Sequence, residues 1–200
     1  MTNMTRFPIP KPDALAPEQA KFMQGLLAGP RGEGASGSEA VARMLQRGPF
    51  NAWMRSPALG ERLQKVGEYI RYQTSLPLRL NEFAILITAR HWTSQFEWYA
   101  HLPMAVKAGL DPRIAAELAE NRRPAGMKED EAAVYDFCTQ LHRTKNVRDE
   151  AFERALRLFG EKGVVDLIGV CGYYTAVSMT LNVAKVALPP GVPLPLEPLE

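Results

Sequence analysis

The sequence predicts an all-α protein, a single helical domain of about eight helices, and three observations carry that expectation. Apolar residues recur at spacings of three and four through most of the chain. No convincing strand pair, internal repeat or second domain interrupts them. Proline and glycine sit between the periodic segments, at Gly29-Pro30, Gly48-Pro49 and Asp111-Pro112, where they stop one helix or start the next. The 200 residues suit one domain with a continuous core. They divide into an extended lead-in over 1–16, a helical domain over 17–188 and a proline-rich tail over 189–200 that is expected to cross a surface.

The lead-in contains Pro8, Pro10 and Pro12. A first helix starts at Pro17-Glu18-Gln19, where proline and an acid suit a first turn, and runs to about Ala28. The following RGEGASGS contains Gly32-x-Gly34-x-x-Gly37, a dinucleotide fingerprint by pattern alone. No strand precedes it, so it reads as a linker. Ser38 to Gln46 is a short helix, and Phe50 to Met54 a turn. Ser56-Pro57 pairs a cap residue with proline at a first helical position, and Leu59, Leu63, Val66 and Ile70 then form one apolar stripe, with Glu61, Arg62, Gln64, Lys65 and Glu68 on the other side.

A helix from about Arg79 to Trp92 follows, then a second start or a kink at 93–97, and a short helix from Asp111-Pro112 to Leu118 or Ala119. Glu129 to Arg143 and Arg148 to Leu158 are helical, the latter ending at Gly160. Glu161 to about Val186 is apolar on nearly all sides, which predicts a central, buried helix.

Composition excludes several classes. Twenty-four basic and 22 acidic residues give a net charge of +2, with no basic block dense enough to clamp a phosphate backbone, so no nucleic acid is expected. Cys138 and Cys171 belong to no CxxC and read as two buried thiols of a reduced compartment. The N-terminus shows no apolar signal region, and Asp166, Asn182 and Lys185 interrupt the most apolar stretch, so the expectation is a cytoplasmic protein with no membrane span.

Chemistry concentrates in Pro77 to Leu110, where one helical pattern carries two acids, two histidines and two tryptophans. Glu82 falls in an apolar run, where it needs a partner. Arg90, about 80° away around an ideal helix, could supply one. Alternatively Glu82 is a first-turn acid favoured by the helix dipole. Glu97 and His101, four residues apart, share a helix face, and a carboxylate beside an imidazole suits proton transfer near neutral pH. Ser94 lies on the same face and could orient a substrate oxygen.

Ser94-x-x-Glu97 is also a capping box by pattern. A metal is a third reading of Glu97 and His101, but no further ligand is evident. His91 divides between packing and site, while His142, beside Arg143 and Lys145, reads as a surface cap residue. Trp92, Phe96, Trp98 and Tyr99 form core, interface or the wall of a planar substrate's pocket, and Trp53, Tyr173 and Tyr174 could join that wall. Asn182, polar in an apolar setting, is expected to pair with a buried group or face a pocket.

Gly48-Pro49-Phe50-Asn51, Ser56-Pro57-x-Leu59, the segment Leu80 to Leu110, and Gly163-Val164-Val165-Asp166-Leu167-Ile168 onward to Pro190 resemble the carboxymuconolactone decarboxylase family, which includes the alkyl hydroperoxidase D-like proteins. The resemblance implies an all-helical, alkyl hydroperoxidase D-like fold, no cofactor, and homo-oligomers (dimer, trimer or hexamer) with a site near the subunit interface. The hydroperoxidase branch pairs a glutamate with a CxxC and a histidine. Here the glutamate falls at Glu82 and the last histidine at His101, but the two cysteines fall at Ser94 and Glu97, so thiol peroxidase chemistry has no thiols to use.

The decarboxylase branch implies acid/base chemistry on a small carboxylated compound, possibly a lactone or aromatic-derived. In that reading His101, Glu97 and Glu82 are catalytic, and Arg90, Ser94, Trp98, His91, Tyr173 and Asn182 line the substrate site. The rival expectations are a non-catalytic ligand-binding or scaffold protein and a metal-dependent enzyme.

Overall fold

The computed structural model describes residues 5–32 and 34–199. Among the described residues helices take up 68% and no strand occurs, so the all-α expectation holds. After a single 3-10 turn at Pro12–Ala14 come α1 (Pro17–Ala28), α2 (Gly37–Leu45), the one-turn α3 (Phe50–Trp53), α4 (Pro57–Tyr72), α5 (Leu78–His91), α6 (Gln95–Lys107), α7 (Pro112–Ala119), α8 (Glu129–Thr144) and α9 (Asp149–Ala184).

The centre is α5. Every residue from Leu80 to Arg90 is buried, with α6, α8 and α9 packed around it. This explains the even run of Phe83, Ile85, Leu86 and Ile87: a helix surrounded on all sides has no solvent face to vary. Arg79 closes its first turn against α8 through ion pairs with Glu131 and Asp130.

The turn from α5 to α6 fixes the geometry of everything below. Thr93 stands in the left-handed region at φ 45°, where Ser94 donates its backbone N–H to the Ala89 carbonyl at 2.8 Å and Thr93 donates to Arg90 at 3.0 Å. This is a Schellman closure, normally built on glycine. A β-branched residue there is costly, so the sharp reversal that lays α6 against α5 is held by the packing around it.

The expected break at Gly160 holds: α9 is two helices that meet across a kink there, where φ 67° and ψ 178° leave helical geometry. The second of them differs from expectation in not being buried all round: Val165, Ile168, Met179 and Val183 are exposed. More than half of its most apolar window is nonetheless packed inside the fold. Its one buried acid, Asp166, accepts from the Ser75 N–H at 2.7 Å, the Ser75 hydroxyl at 2.8 Å and the Tyr69 hydroxyl at 3.1 Å. Burial pushes this carboxyl's pKa up, and those three donors outweigh burial to leave it lowered.

The stripe expected on α4 is also corrected. Leu59 and Val66 are exposed, while Gly60, Gln64, Gly67 and Ile70 are buried. The packed face is the one with glycines, because Phe22 of α1 and Tyr173 of α9 approach too closely for side chains there. Ser56 occupies the cap position but makes no side-chain cap bond. The turn expected at Phe50 to Met54 is a single helical turn over Phe50–Trp53.

His142 is corrected as well. It is buried, its Nε2 lies 2.9 Å from the Thr88 hydroxyl, and its ring stacks on His91 at 4.8 Å. Cys138 and Cys171 are buried, free, and in contact between α8 and α9.

Candidate active site

The reversal at Thr93 brings one face of α6 opposite Glu82 in α5. Glu97 and His101, one turn apart on that face, are both buried, as is Glu82. His101 is held at both ring nitrogens: Nδ1 lies 2.6 Å from Glu82 Oε2 and Nε2 lies 2.9 Å from Glu97 Oε1. An imidazole that bonds two carboxylates in this way must donate from both nitrogens, which is the protonated form. Burial pulls its pKa down, but the charge and hydrogen bonds of Glu97 and Glu82 overcome burial and raise it to about 9. The Tyr174 ring meets the imidazole edge-on at 5.1 Å and shields one side.

Two carboxylates and one imidazolium leave a net negative charge, and Arg71 at the end of α4 opposes it. Burial lowers the Arg71 pKa, yet the neighbouring Tyr174, Tyr72, Glu82 and Glu97 leave it raised. Its guanidinium contacts the Met104 sulfur at 3.3 Å and the Tyr72 ring at 5.3 Å, and no ion pair within 4.0 Å holds it among the described residues. It therefore remains available to an anion.

Glu97, His101 and Arg71 border a cavity of about 450 Å3, a size that suits a small organic molecule, while Glu82 lines a neighbouring cavity that Arg71 shares. Glu97 and His101 lie on one wall with Arg71, and Arg31, Tyr173 and Tyr174 supply others, with Phe50, Phe96 and Tyr99 giving it an aromatic character. Arg31 reaches in over the Phe50 ring at 5.6 Å, and its Nε and Nη2 are buried without hydrogen-bond partners. Burial and the Glu97 charge raise the Tyr173 pKa to about 12 against the opposing charges of Arg31 and Arg71. Tyr174 is likewise raised by burial. Both phenols stay protonated and able to donate.

Glu82, Glu97, His101 and Tyr173 thus meet at one place. The other expected residues do not. Arg90 does not pair with Glu82; its Nη1 donates weakly to the Thr93 hydroxyl at 3.3 Å, and it lines a separate cavity with His91. The physical reason is that α5 is packed on every side, so Glu82 faces α6 while Arg90 emerges toward α7 and α8. Trp98 is a core residue, 2% exposed. Asn182 is exposed and donates to the Trp92 carbonyl at 2.8 Å. Ser94 is buried at the start of α6, but its hydroxyl has no partner and caps nothing, while the Glu97 carboxylate turns to His101 instead.

Arg71 and Arg31 were missed in the sequence. Arg71 in a last helical turn looks like an ordinary dipole complement, and Arg31 sits in the glycine-rich linker. Among the described residues no group of three or more His, Cys, Asp and Glu side chains has the arrangement to hold a metal ion.

Fold and site together define an all-helical protein with a histidine clamped between two carboxylates at the edge of an arginine-bearing aromatic cavity. No protein-family model matches the chain, and no curated protein or solved structure matches it either.

Proposed function

We propose that the protein is a cofactor-free acid/base enzyme, decarboxylase-like, acting on a small carboxylated compound with a planar or lactone body. The reading draws on the resemblance to the carboxymuconolactone decarboxylase family and its alkyl hydroperoxidase D-like fold. The observation that carries it is the Glu82–His101–Glu97 chain at the edge of a cavity that also presents Arg71 and Arg31.

In this reading the carboxylate of the substrate pairs with a guanidinium. The bond from the skeleton to that carboxylate breaks, carbon dioxide leaves, and the electron pair moves into the conjugated system of the substrate. A proton must then be delivered to carbon. Both nitrogens of His101 are occupied, so the proton moves first from the imidazolium Nε2 to the Glu97 carboxylate, which faces the cavity and passes it on to carbon. Glu82 stabilises the imidazolium in the resting state, and a proton from solvent restores the chain. The balance is one carboxylate and one proton in, one C–H bond and carbon dioxide out.

A specific feature favours a second reading, a ligand-binding protein without turnover: His101 has no free nitrogen to offer a substrate directly. The same family resemblance points to a homo-oligomer, which is supported by the apolar face that α4 and α9 leave exposed.

The test is to supply carboxylated lactones and aromatic acids and follow carbon dioxide release. Glu97→Gln and His101→Gln should each lower turnover by about 100-fold or more while leaving binding within a few-fold. Turnover that survives His101→Gln would remove the histidine from the mechanism. Saturable binding with no release from any compound would favour the second reading.

A further inference from the structure

A second cavity, about 420 Å3, opens on the other side of α5, among α7, α8 and the C-terminal tail. Its most unusual member is Arg90, which is 3% exposed yet has no ion pair within 4.0 Å among the described residues. One nitrogen makes the single weak bond to Thr93, and Nε is buried with no partner. The contrast with Arg79, eleven residues earlier in sequence and placed between two carboxylates, is sharp. A buried guanidinium without a counter-charge is strongly disfavoured, so the pocket is built for a negative group that a ligand supplies.

The surroundings agree. Arg143 and His91 line the same cavity, and none of its lining residues is acidic. His91 is pulled down to about 4 by burial and by the neighbouring charges of His142, Lys145 and Arg143, which marks the local field as positive. Ile87, Leu118 and Tyr135 give the cavity an apolar wall, more than a bare inorganic ion would use. Among the described residues, the one acid whose charge reaches Arg90 is Glu197 of the tail, which is exposed. The tail is fastened next to it, where Gln95 Nε2 donates to the Leu196 carbonyl at 2.7 Å, the Leu196 N–H returns to Gln95 at 3.0 Å, and the Leu196 side chain is buried.

We propose that this pocket is a second binding site, separate from the His101 cavity, for a small organic anion whose carboxylate pairs with Arg90 and whose apolar body lies on Ile87, Leu118 and Tyr135. The bidentate fork of arginine suits a carboxylate. Glu197 on the strapped tail competes for the same cation and weakens binding.

The experiment is calorimetric titration of the full chain with benzoate, and separately with inorganic phosphate, on the wild type and three variants. Because the His101 cavity can itself take benzoate on Arg71, the proposal expects a saturable benzoate site that persists in Arg71→Met and that the added Arg90→Met weakens by about 10-fold or more. Glu197→Gln lies on an exposed side chain that threatens no packing, and it should tighten benzoate several-fold. Phosphate should bind more weakly than benzoate.

Four results would overturn the site: no saturable binding of benzoate to the wild type, benzoate affinity of Arg71→Met indifferent to the added Arg90→Met, affinity lost with Arg71→Met alone, or no tightening in Glu197→Gln. Phosphate binding tighter than benzoate would overturn the organic character assigned to the ligand. None of these outcomes touches proton transfer at His101, whose failure is read from carbon dioxide release.

Discussion

At the residue scale the decisive group is His101, and its pH behaviour is the most direct check on the site. Its pKa in the folded protein is raised to about 9 from an ordinary value of 6.5. A group raised in the folded state stabilises the fold fully below its unfolded pKa and loses that contribution as pH climbs through the folded one. Stability should therefore fall between about pH 6.5 and 9, by on the order of 3 kcal/mol from this group. His101→Gln should flatten that slope in urea titrations at a series of pH values, and Glu97→Gln or Glu82→Gln should lower the imidazole pKa seen by NMR. An unperturbed imidazole resonance titrating near 6.5 in the wild type would contradict the clamp.

Part of this was legible in the sequence. Helical spacing alone puts Glu97 beside His101, since residues four apart share a face. That Glu82 takes the other nitrogen depends on the Thr93 reversal, and a β-branched residue in a glycine-type position gives no sequence signal for such a turn. Arg71 and Arg31 come from other elements, so periodicity within one helix cannot find them.

At the scale of elements, the glycines of α4 decide how the cavity is walled. A methyl group on Gly67 would lie 2.0 Å from the Tyr173 hydroxyl and 2.6 Å from Arg31 Nη2, so Gly67→Ala must push both out of place. We expect a loss of about 1–3 kcal/mol, as for other overpacked sites, together with weakened ligand binding at the His101 cavity. The measurement is the urea midpoint and calorimetric affinity of the same variant. A stability gain, the usual result of adding a helix-favouring alanine at a helical glycine, would mean that Tyr173 and Arg31 do not approach α4 in solution.

The helices themselves were readable because apolar periodicity and Pro/Gly punctuation are local. The buried face of α4 was not. It carries Gly60, Gln64 and Gly67, residues with little or no apolar signal, and the larger Leu59 and Val66 were mistaken for it. His142 misled for a related reason: its basic neighbours Arg143 and Lys145 are exposed while its own ring turns inward to Thr88.

At the scale of the whole molecule, the proposed homo-oligomer would give those misread residues a use. The pair Tyr69–Asp166 and the bond from Trp53 to Thr180 set α4 antiparallel alongside α9. Leu59, Val66 and Tyr69 on one helix and Val165, Ile168, Met179 and Val183 on the other lie between 37% and 64% exposed. Val165, Gly172 and Met179 repeat every seven residues, the period of a seam between helices.

Gly172 is the telling member. A Cβ there would meet nothing within 4 Å, so the protomer gains nothing from a glycine that costs helix stability of about 0.5–1 kcal/mol. A second copy of the chain, packed closely along α9 about a twofold axis, would account for it.

Gly172→Leu then has two effects of opposite sign. It should stabilise the isolated protomer slightly while abolishing a dimer in light scattering at tens of micromolar. Val165→Lys should also yield monomers by burying a charge at the seam. A wild type that is monomeric at those concentrations, or a Gly172→Leu protein that remains dimeric, would assign the exposed face to some role other than self-association.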